Sequence, residues 1–351
     1  MIKVREDRIN KIVKGMTQNQ MDYIIISDPS TIFYISGKFV ASGSRMLVML
    51  VNSNGNYQFF INSLQTDYSD ISTNINWYTD SDDPISLLAK EIKPSSKVGI
   101  DKNWSAKFFI SLTEKLDARF TLSSNIIDNV RMVKDDEEIQ AMIRTCDINQ
   151  KVVSQMFNCL EEGMSEFDHR KKLHELYCSY GADGYNITPI VAYGKSCGSA
   201  HHKSGDNTLK PGDCVMIDTG ARFNGYRSDM TRTVFYKSCD DKLREIYNVV
   251  YEAQMTAMNA VKAGIRFCDI DKIGRDIIAK AGYGEFFTHR IGHNIGIDGH
   301  EFPDVGGDNN MEILPGMCFS VEPGIYIPGY GGVRIEDLVV AKDNGFICMY
   351  D

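Results

Sequence analysis

The sequence predicts a smaller α/β domain followed by a larger α+β domain. Three observations point to this division. The chain has 351 residues, and a domain typically takes about 100–200. Short apolar strands alternate with helices over the first 130 residues, whereas helices and hairpins are mixed after them. Charge divides at the same place: residues 1–130 carry 14 basic and 14 acidic side chains, so the remainder holds the whole net charge of −9.

Val4–Met16 interleaves apolar and charged residues and reads as an amphipathic helix. Asp22–Ser27 (DYIIIS) has the pattern of a buried strand, and Met46–Asn52 is a second strand. Asn54-Gly55 follows it, the strongest short hairpin signal, and Gln58–Asn62 returns from it. Lys97–Asp101 and Arg119–Ser123 read as further strands, with a helix between them over Trp104–Leu116. The boundary is expected within Ser124–Asp135, giving domains 1–125 and 126–351.

Beyond it, Asp135 and Asp136 can cap a helix that runs to about Leu160. Its first turn carries Glu137 and Glu138, the charge sign that a helix N-terminus favours. Ser165-x-x-Asp168 opens another helix, which Gly181 closes. A long helix spans Asp240–Ala263 and stops at Gly264. Strand-like runs are Cys214–Thr219, Thr231–Tyr236, Met317–Val321 and Val333–Ala341.

Hydrophobic residues at 43% and charged residues at 24% argue against a disordered, collagen-like or disulfide-scaffold chain. No stretch approaches the roughly 18 apolar residues of a membrane span. The first 16 residues have no continuous apolar core, so they do not read as a signal peptide. Nine cysteines are scattered singly from Cys146 onward, with no CxxC pair, which suits reduced thiols. A cytoplasmic protein is expected, with no membrane partner. The acidic larger half disfavours nucleic acid. It suits either a site that gathers carboxylates around cations or a solvated acidic surface.

The most informative stretch is Val215–Tyr236, VMIDTGARFNGYRSDMTRTVFY. Asn224-Gly225 marks a two-residue type I′ turn. In that hairpin Phe223 faces Tyr226, Asp218 faces Thr231 and Asp229 faces Gly220. Asp218 and Asp229 then share a face as diagonal neighbours, about 7–8 Å apart at Cα. Two carboxylates so placed share a proton, hold a cation between them, or face water. A second cluster, Phe286–Phe302 (FFTHRIGHNIGIDGHEF), holds His289, His293 and His300 on a glycine-rich backbone. Glycines there make a helix unfavourable but permit close approach to a ligand. His201 and His202 bring five of the seven histidines into two short segments. The third cluster, Ser320–Asp337 (SVEPGIYIPGYGGVRIED), turns at Pro328–Gly332. It places Glu322 at the end of one strand and Arg334 and Glu336 on one face of the other. Glutamates in apolar strands are costly to bury unless paired or coordinated. A salt bridge between Glu336 and Arg334 and a solvated Glu322 are the simpler readings. Taken together, Asp218, Asp229, His293, Glu322 and Glu336 form an oxygen-rich set. It favours divalent ions, Mn²⁺ above all, with Co²⁺, Fe²⁺ or Zn²⁺ as alternatives. Four negative charges balance two such ions.

The order Asp-x10-Asp, His, Glu, Glu, with the motifs DTGARFNGYRSDMTRT, THRIGHNIGIDGHE, SVEPGIYI and VRIED, resembles the pita-bread metallopeptidases. It is most similar to their proline-specific branch, prolidase (Xaa-Pro dipeptidase) and aminopeptidase P. The resemblance covers nearly the whole chain and implies an α+β pita-bread (creatinase/aminopeptidase) catalytic domain after a smaller α/β creatinase-type N-terminal domain. It implies that Asp218 binds one metal through both oxygens, that Asp229 and Glu336 bridge two metals, and that His293 and Glu322 complete the other site. It makes Glu322 the general base for a metal-bridging hydroxide. His201 would lie near the leaving group, with spacing favouring it over His202. His300 would contact substrate near the scissile bond, His289 and Arg334 would stand beside substrate or ligands, and Thr231 would support a ligand. The substrate implied is an Xaa-Pro peptide, and relatives are commonly homodimers. Asn294 departs from the commoner Gly, and Glu301-Phe302-Pro303 from the commoner Glu-Pro-Pro. Creatinase-like amidinohydrolases lack the metal set, and methionine aminopeptidases usually lack the N-terminal domain. A metal-dependent aminopeptidase of other specificity and a non-catalytic pita-bread binding protein remain as alternatives.

Overall fold

The computed structural model describes residues 4–39, 43–65, 74–186 and 188–350. The chain divides into two compact units, one ending at Arg131 and the other starting at Met132.

The first unit contains α1 (Glu6–Gln18), β1 (Tyr23–Ile26), α2 (Pro29–Ser36), β2 (Val48–Asn52), β3 (Tyr57–Asn62) and β4 (Ile75–Tyr78). It continues with α3 (Pro84–Lys90), β5 (Lys97–Ile100), α4 (Ala106–Thr113), β6 (Arg119–Leu122) and α5 (Ser124–Arg131). The strands form one mixed sheet in the order β4-β3-β2-β1-β5-β6. Ile24, Ile25 and Ile26 of β1 are fully buried, as a central strand covered on both faces requires. The hairpin after Asn52 forms, but through residues 53–56, closed by the Asn52 side chain accepting from the Asn54 and Asn56 amides. Helices α2 and α3, absent from the sequence reading, each begin at an Asp-Pro pair. Asp28 and Asp83 cap their first turns, and proline fits the first helical position. The unit ends at Arg131 rather than at 125 because 124–131 are helical. Ile126 of that helix packs against Gly15 of α1, where a Cβ would intrude on it.

The second unit opens with α6 (Asp136–Asn158), started by a capping box between Asp135 and Glu138. Next come α7 (Glu166–Ser179), β7 (Gly184–Tyr185), β8 (Ile190–Tyr193), β9 (Cys214–Thr219), β10 (Ala221–Phe223), β11 (Tyr226–Arg227) and β12 (Met230–Phe235). After α8 (Asp241–Asn259), an unanticipated helix α9 (Phe267–Lys280) precedes β13 (Gly292–Asn294) and β14 (Glu301–Val305). The chain finishes with β15 (Cys318–Val321), β16 (Gly324–Ile327), β17 (Gly331–Arg334), β18 (Asp337–Lys342) and β19 (Gly345–Cys348). Among the described residues they form four sheets: β11-β10-β7, β12-β9-β8, β14-β13-β15-β18-β19 and β16-β17. The expected strand Val333–Ala341 is therefore two strands in different sheets, broken at Ile335 and Glu336.

Strand alternation decides which side chains turn inward. Val215 and Ile217 of β9 join Val152, Met156, Leu173 and Tyr177 of α6 and α7 in one core, so Asp218 turns to the other face. Phe319, Val321 and Val333 join Ile246, Val250 and Ile270 of α8 and α9 in a second core, so Ser320, Glu322 and Arg334 turn away from it.

Candidate metal centre

The 215–236 hairpin keeps the register expected from its turn. Asn224 and Gly225 have φ of 48° and 83°, the left-handed pair that a type I′ turn needs. Phe223 pairs with Tyr226, and Asp218 with Thr231. The hairpin nevertheless divides between two sheets. At the division a Cβ on Gly220 would collide with the Ser228 carbonyl, so only glycine fits opposite Asp229. Gly292 likewise lets β13 approach Ser320 of β15, which draws His293 toward Glu322.

One pocket is lined by Asp218, Asp229, His293, Glu322 and Glu336 together with His201, His289, His300, Arg334, Arg290, Ile190 and Ala200. Thr231 lies behind it. Its hydroxyl donates to Glu336 Oε2 at 2.8 Å and accepts from Arg334 Nε at 3.0 Å. Arg334 does not bridge to Glu336, the simpler reading of the sequence. Its guanidinium pairs with Asp218 Oδ2 and donates to the Tyr326 hydroxyl at 2.8 Å and to the Ala200 carbonyl. Glu322 is not a solvated strand end: its Oε1 sits 3.4 Å from His293 Nε2 and accepts from Ser320 Oγ.

Hydrogen-bond partners set the histidine tautomers. His293 Nδ1 faces the Asn294 carbonyl at 3.1 Å, which only accepts, so Nε2 presents its lone pair to the pocket. His300 Nδ1 accepts from the Arg290 guanidinium at 2.9 Å, so its proton sits on Nε2. His289 Nδ1 donates to the Arg290 carbonyl, and its Nε2 accepts from Tyr326. His202 Nε2 pairs with the buried Glu166 at 2.6 Å, while the neighbouring His201 lines the pocket. Tyr326, Arg290 and Ser320 were assigned no role from the sequence, although Ser320 and Tyr326 lie within SVEPGIYI and Arg290 within THRIGHNIGIDGHE. Asn294 is buried and ties β13 to the Pro303 carbonyl at 2.7 Å.

The residues present fit a metal. Donor atoms of Asp229, His293 and Glu336 lie within 4.8 Å of one another. Asp229 Oδ1 and Glu336 Oε1 are buried with no hydrogen-bond partner among the described residues. A buried carboxylate oxygen without a donor is costly, and a divalent cation removes that cost. Asp218 and Glu322 stand outside the tightest group because Arg334, His293 and Ser320 engage their oxygens. Chelation by both Asp218 oxygens would require Arg334 to share Oδ2 with the ion.

Burial raises the Asp229 and Glu336 carboxyls well above their ordinary range, and neighbouring carboxylates add to the shift. Burial also pushes Glu322 up to about 7, against the opposing charge of Arg334. It lowers His293 to about 3 and His289 to about 4. Burial opposes the Arg334 charge too, yet Tyr326, Asp218 and Glu322 hold that group well above its usual value.

These shifts fix the pH response of the metal-free protein. Glu322 keeps its proton in the folded state while the unfolded chain releases it near pH 4.5, so its contribution is full below that pH and is lost as pH rises through about 7. The Asp229 and Glu336 carboxyls, raised in the same direction, also lose their contribution as pH rises. Lowered histidines act oppositely, with a contribution that is full above 6.5 and lost as pH falls. Above about pH 6.5 the lowered histidines no longer change, whereas the raised carboxyls still do. The metal-free protein is therefore expected to melt at lower temperature as pH rises from about 6.5 to 8. Added Mn²⁺ should restore more at the higher pH, because its ligands must be deprotonated. Melting curves in EDTA and in Mn²⁺ check this, and an EDTA midpoint that climbs across that window would refute it.

All nine cysteines are free thiols. Among the described residues no helix is long and apolar enough to cross a membrane.

Comparison with known proteins agrees with the geometry. Residues 140–343 match metallopeptidase family M24, and residues 8–133 match the creatinase/prolidase N-terminal domain. The chain is 33% identical to an Xaa-Pro dipeptidase of Lactobacillus delbrueckii subsp. lactis, over 96% of this chain and 95% of that protein. A dipeptidase of Pyrococcus horikoshii OT3 superposes with a TM-score of 0.94 at 33% identity, covering 98% of both chains. A prolidase of Thermococcus sibiricus superposes at 0.93 with 30% identity, over 98% of this chain and 96% of that one. The expected α+β pita-bread catalytic domain preceded by a creatinase-type domain thus holds. With its buried carboxylates and histidine converging on one pocket, the chain belongs to metallopeptidase family M24.

Proposed function

We propose that this protein hydrolyses the bond between an N-terminal residue and a following proline, with two divalent metal ions held by Asp218, Asp229, His293, Glu322 and Glu336. The observation that carries this reading is the pair of buried, unpartnered oxygens of Asp229 and Glu336 beside His293. Relatives named as Xaa-Pro dipeptidase and prolidase supply the substrate class. Asp229, His293 and Glu336, whose donor atoms lie closest together, would hold the ions most directly. Mn²⁺ is the ion this oxygen-rich set favours, with Co²⁺, Zn²⁺ or Fe²⁺ as alternatives. When bound, the ions polarise the scissile carbonyl and make water nucleophilic near neutral pH.

The chain's own groups do the rest. Glu322, placed beside His293 in the pocket, takes the proton of the attacking water and delivers it to the leaving prolyl nitrogen. His300 presents Nε2–H as a donor to the substrate oxygen that gains charge. His201 stands near the leaving group. Arg334 fixes Asp218, and Thr231 fixes Glu336. His289 aligns the Tyr326 hydroxyl with Arg334. Free thiols suit a cytoplasmic setting, and the family resemblance supports a homodimer.

The test is Mn²⁺-dependent cleavage of Xaa-Pro dipeptides beside Xaa-Pro-Yaa tripeptides and non-proline controls. Cleavage confined to the dipeptides is the expected result and means a prolidase. Efficient tripeptide cleavage would instead mean an aminopeptidase P. No cleavage by metal-loaded protein would overturn the substrate class.

A further inference from the structure

The segment that delivers the pocket's histidines contains Gly292, Gly296 and Gly299. Such a backbone has wide conformational freedom, so contacts from outside must set its path. Two ion pairs supply part of them, beside Arg227, whose amide and guanidinium donate to the Gly296 and Ile297 carbonyls. At the entry, Arg275 pairs with Asp271 at 2.8 Å and donates to the Phe287 and His289 carbonyls, while Asp271 accepts from the Ile291 amide. At the exit, Lys134 Nζ lies 3.0 Å from Glu301 Oε2, with side chains only 1% and 6% exposed. The other Glu301 oxygen accepts from the Ile297 and Asp298 amides at 2.9 and 3.1 Å, so the turn wraps around one carboxylate. A Cβ on Gly296 would press on both Glu301 and Lys134, which shows how closely the turn seats on the pair. Lys134 is itself held by its amide bonding to the Gly316 carbonyl.

We propose that the Lys134–Glu301 pair positions the turn 295–300 so that His300 stacks on His293 and faces the pocket. The stack is the observation to be explained: the two ring centroids lie 3.7 Å apart with planes 10° from parallel, and His300 directly precedes Glu301. Neither partner of the pair lines the pocket, so both act through the turn. Stability alone is a poor reason for a buried pair, since apolar residues of similar volume often serve as well. A need for one fixed turn conformation accounts for it. This inference rests on the metallopeptidase reading of the pocket.

The test uses the full chain with three variants: Glu301→Ala, Lys134→Met and the conservative Lys134→Arg. Displacing a catalytic group by about 1 Å can cost on the order of 100-fold. Glu301→Ala and Lys134→Met are therefore expected to lower kcat about 10- to 100-fold with KM within about threefold, and Lys134→Arg to recover most of it. Ring-proton NMR of the histidines in metal-free protein provides a readout independent of turnover. The mutual ring-current shifts of His293 and His300 should vanish in the first two variants and persist in Lys134→Arg. If a single variant fails to fold, Lys134→Met/Glu301→Gln, which leaves no unpaired buried charge, is read in its place. Unchanged kcat and unchanged ring shifts in a folded variant would overturn the proposal. If the wild-type protein cleaves no Xaa-Pro peptide while the ring shifts respond, the substrate reading fails and the clamp stands.

Discussion

Glu336→Ala is expected to lower kcat/KM by at least about 10³-fold, because a metal site supplies several kcal/mol of transition-state stabilisation and each 1.4 kcal/mol is a factor of ten. Metal content should fall below two ions per chain, and Asp229→Ala should behave alike. The same substitution is expected to act oppositely on metal-free stability. Glu336 Oε1 is buried without a hydrogen-bond donor, and the Asp229 carboxylate stands against it. Removing one of two crowded buried acids relieves that repulsion, so the metal-free variant should melt above the metal-free wild type. Kinetics, metal analysis and melting in EDTA check all three expectations. Two tightly bound ions with full activity in either variant would refute the ligand assignment.

Arg334→Met should give the second-largest effect, through a different cause. The Arg334 guanidinium reaches Asp218, Tyr326, Thr231 and the Ala200 carbonyl together. Methionine fills much of the same space but donates nothing. Asp218 would then lose its cation while staying buried, which costs about 3–5 kcal/mol in a broken buried pair. The loss should be largest without metal, since bound ions replace part of the missing charge. Activity is expected to fall about 10²- to 10³-fold as Asp218 and Glu336 lose the contacts that aim them. Arg334→Lys keeps the charge but not the planar fork, so it should recover stability more than activity. Melting midpoints with and without metal, beside kcat, separate the two roles. Equal stability losses with and without metal would contradict the charge argument.

Local signals in the chain were reliable where short-range geometry governs. The register of the 215–236 hairpin follows from Asn224-Gly225, because a two-residue turn with both φ positive leaves one pairing available. Capping residues likewise placed the starts of α6, α7 and α8, each with an Asp or Ser side chain accepting from the first turn. Apolar runs misled where only two residues separate successive strands. Val333–Ala341 looks like one strand, yet β17 pairs with β16 and β18 with β15. Helix α9 was hidden because its buried residues, Phe267, Ile270, Asp271, Gly274 and Ile278, include a glycine and an acid, and its N-cap position, Arg266, makes no side-chain cap.

By itself the sequence determined the donor chemistry: which acids and histidines stand in strand-like or glycine-rich settings, and on which face alternation puts them. Only the tertiary structure decided who pairs with whom. Arg334 reaches past the nearby Glu336 to Asp218, 116 residues earlier. His202 turns to Glu166 and leaves the pocket to His201. Lys134 meets Glu301 across 167 residues. Alternation and turn type are properties of adjacent peptide units and can be read along the chain. A charge's partner is chosen by whatever the folded sheets bring within about 4 Å, where burial makes an unpaired charge too costly to keep.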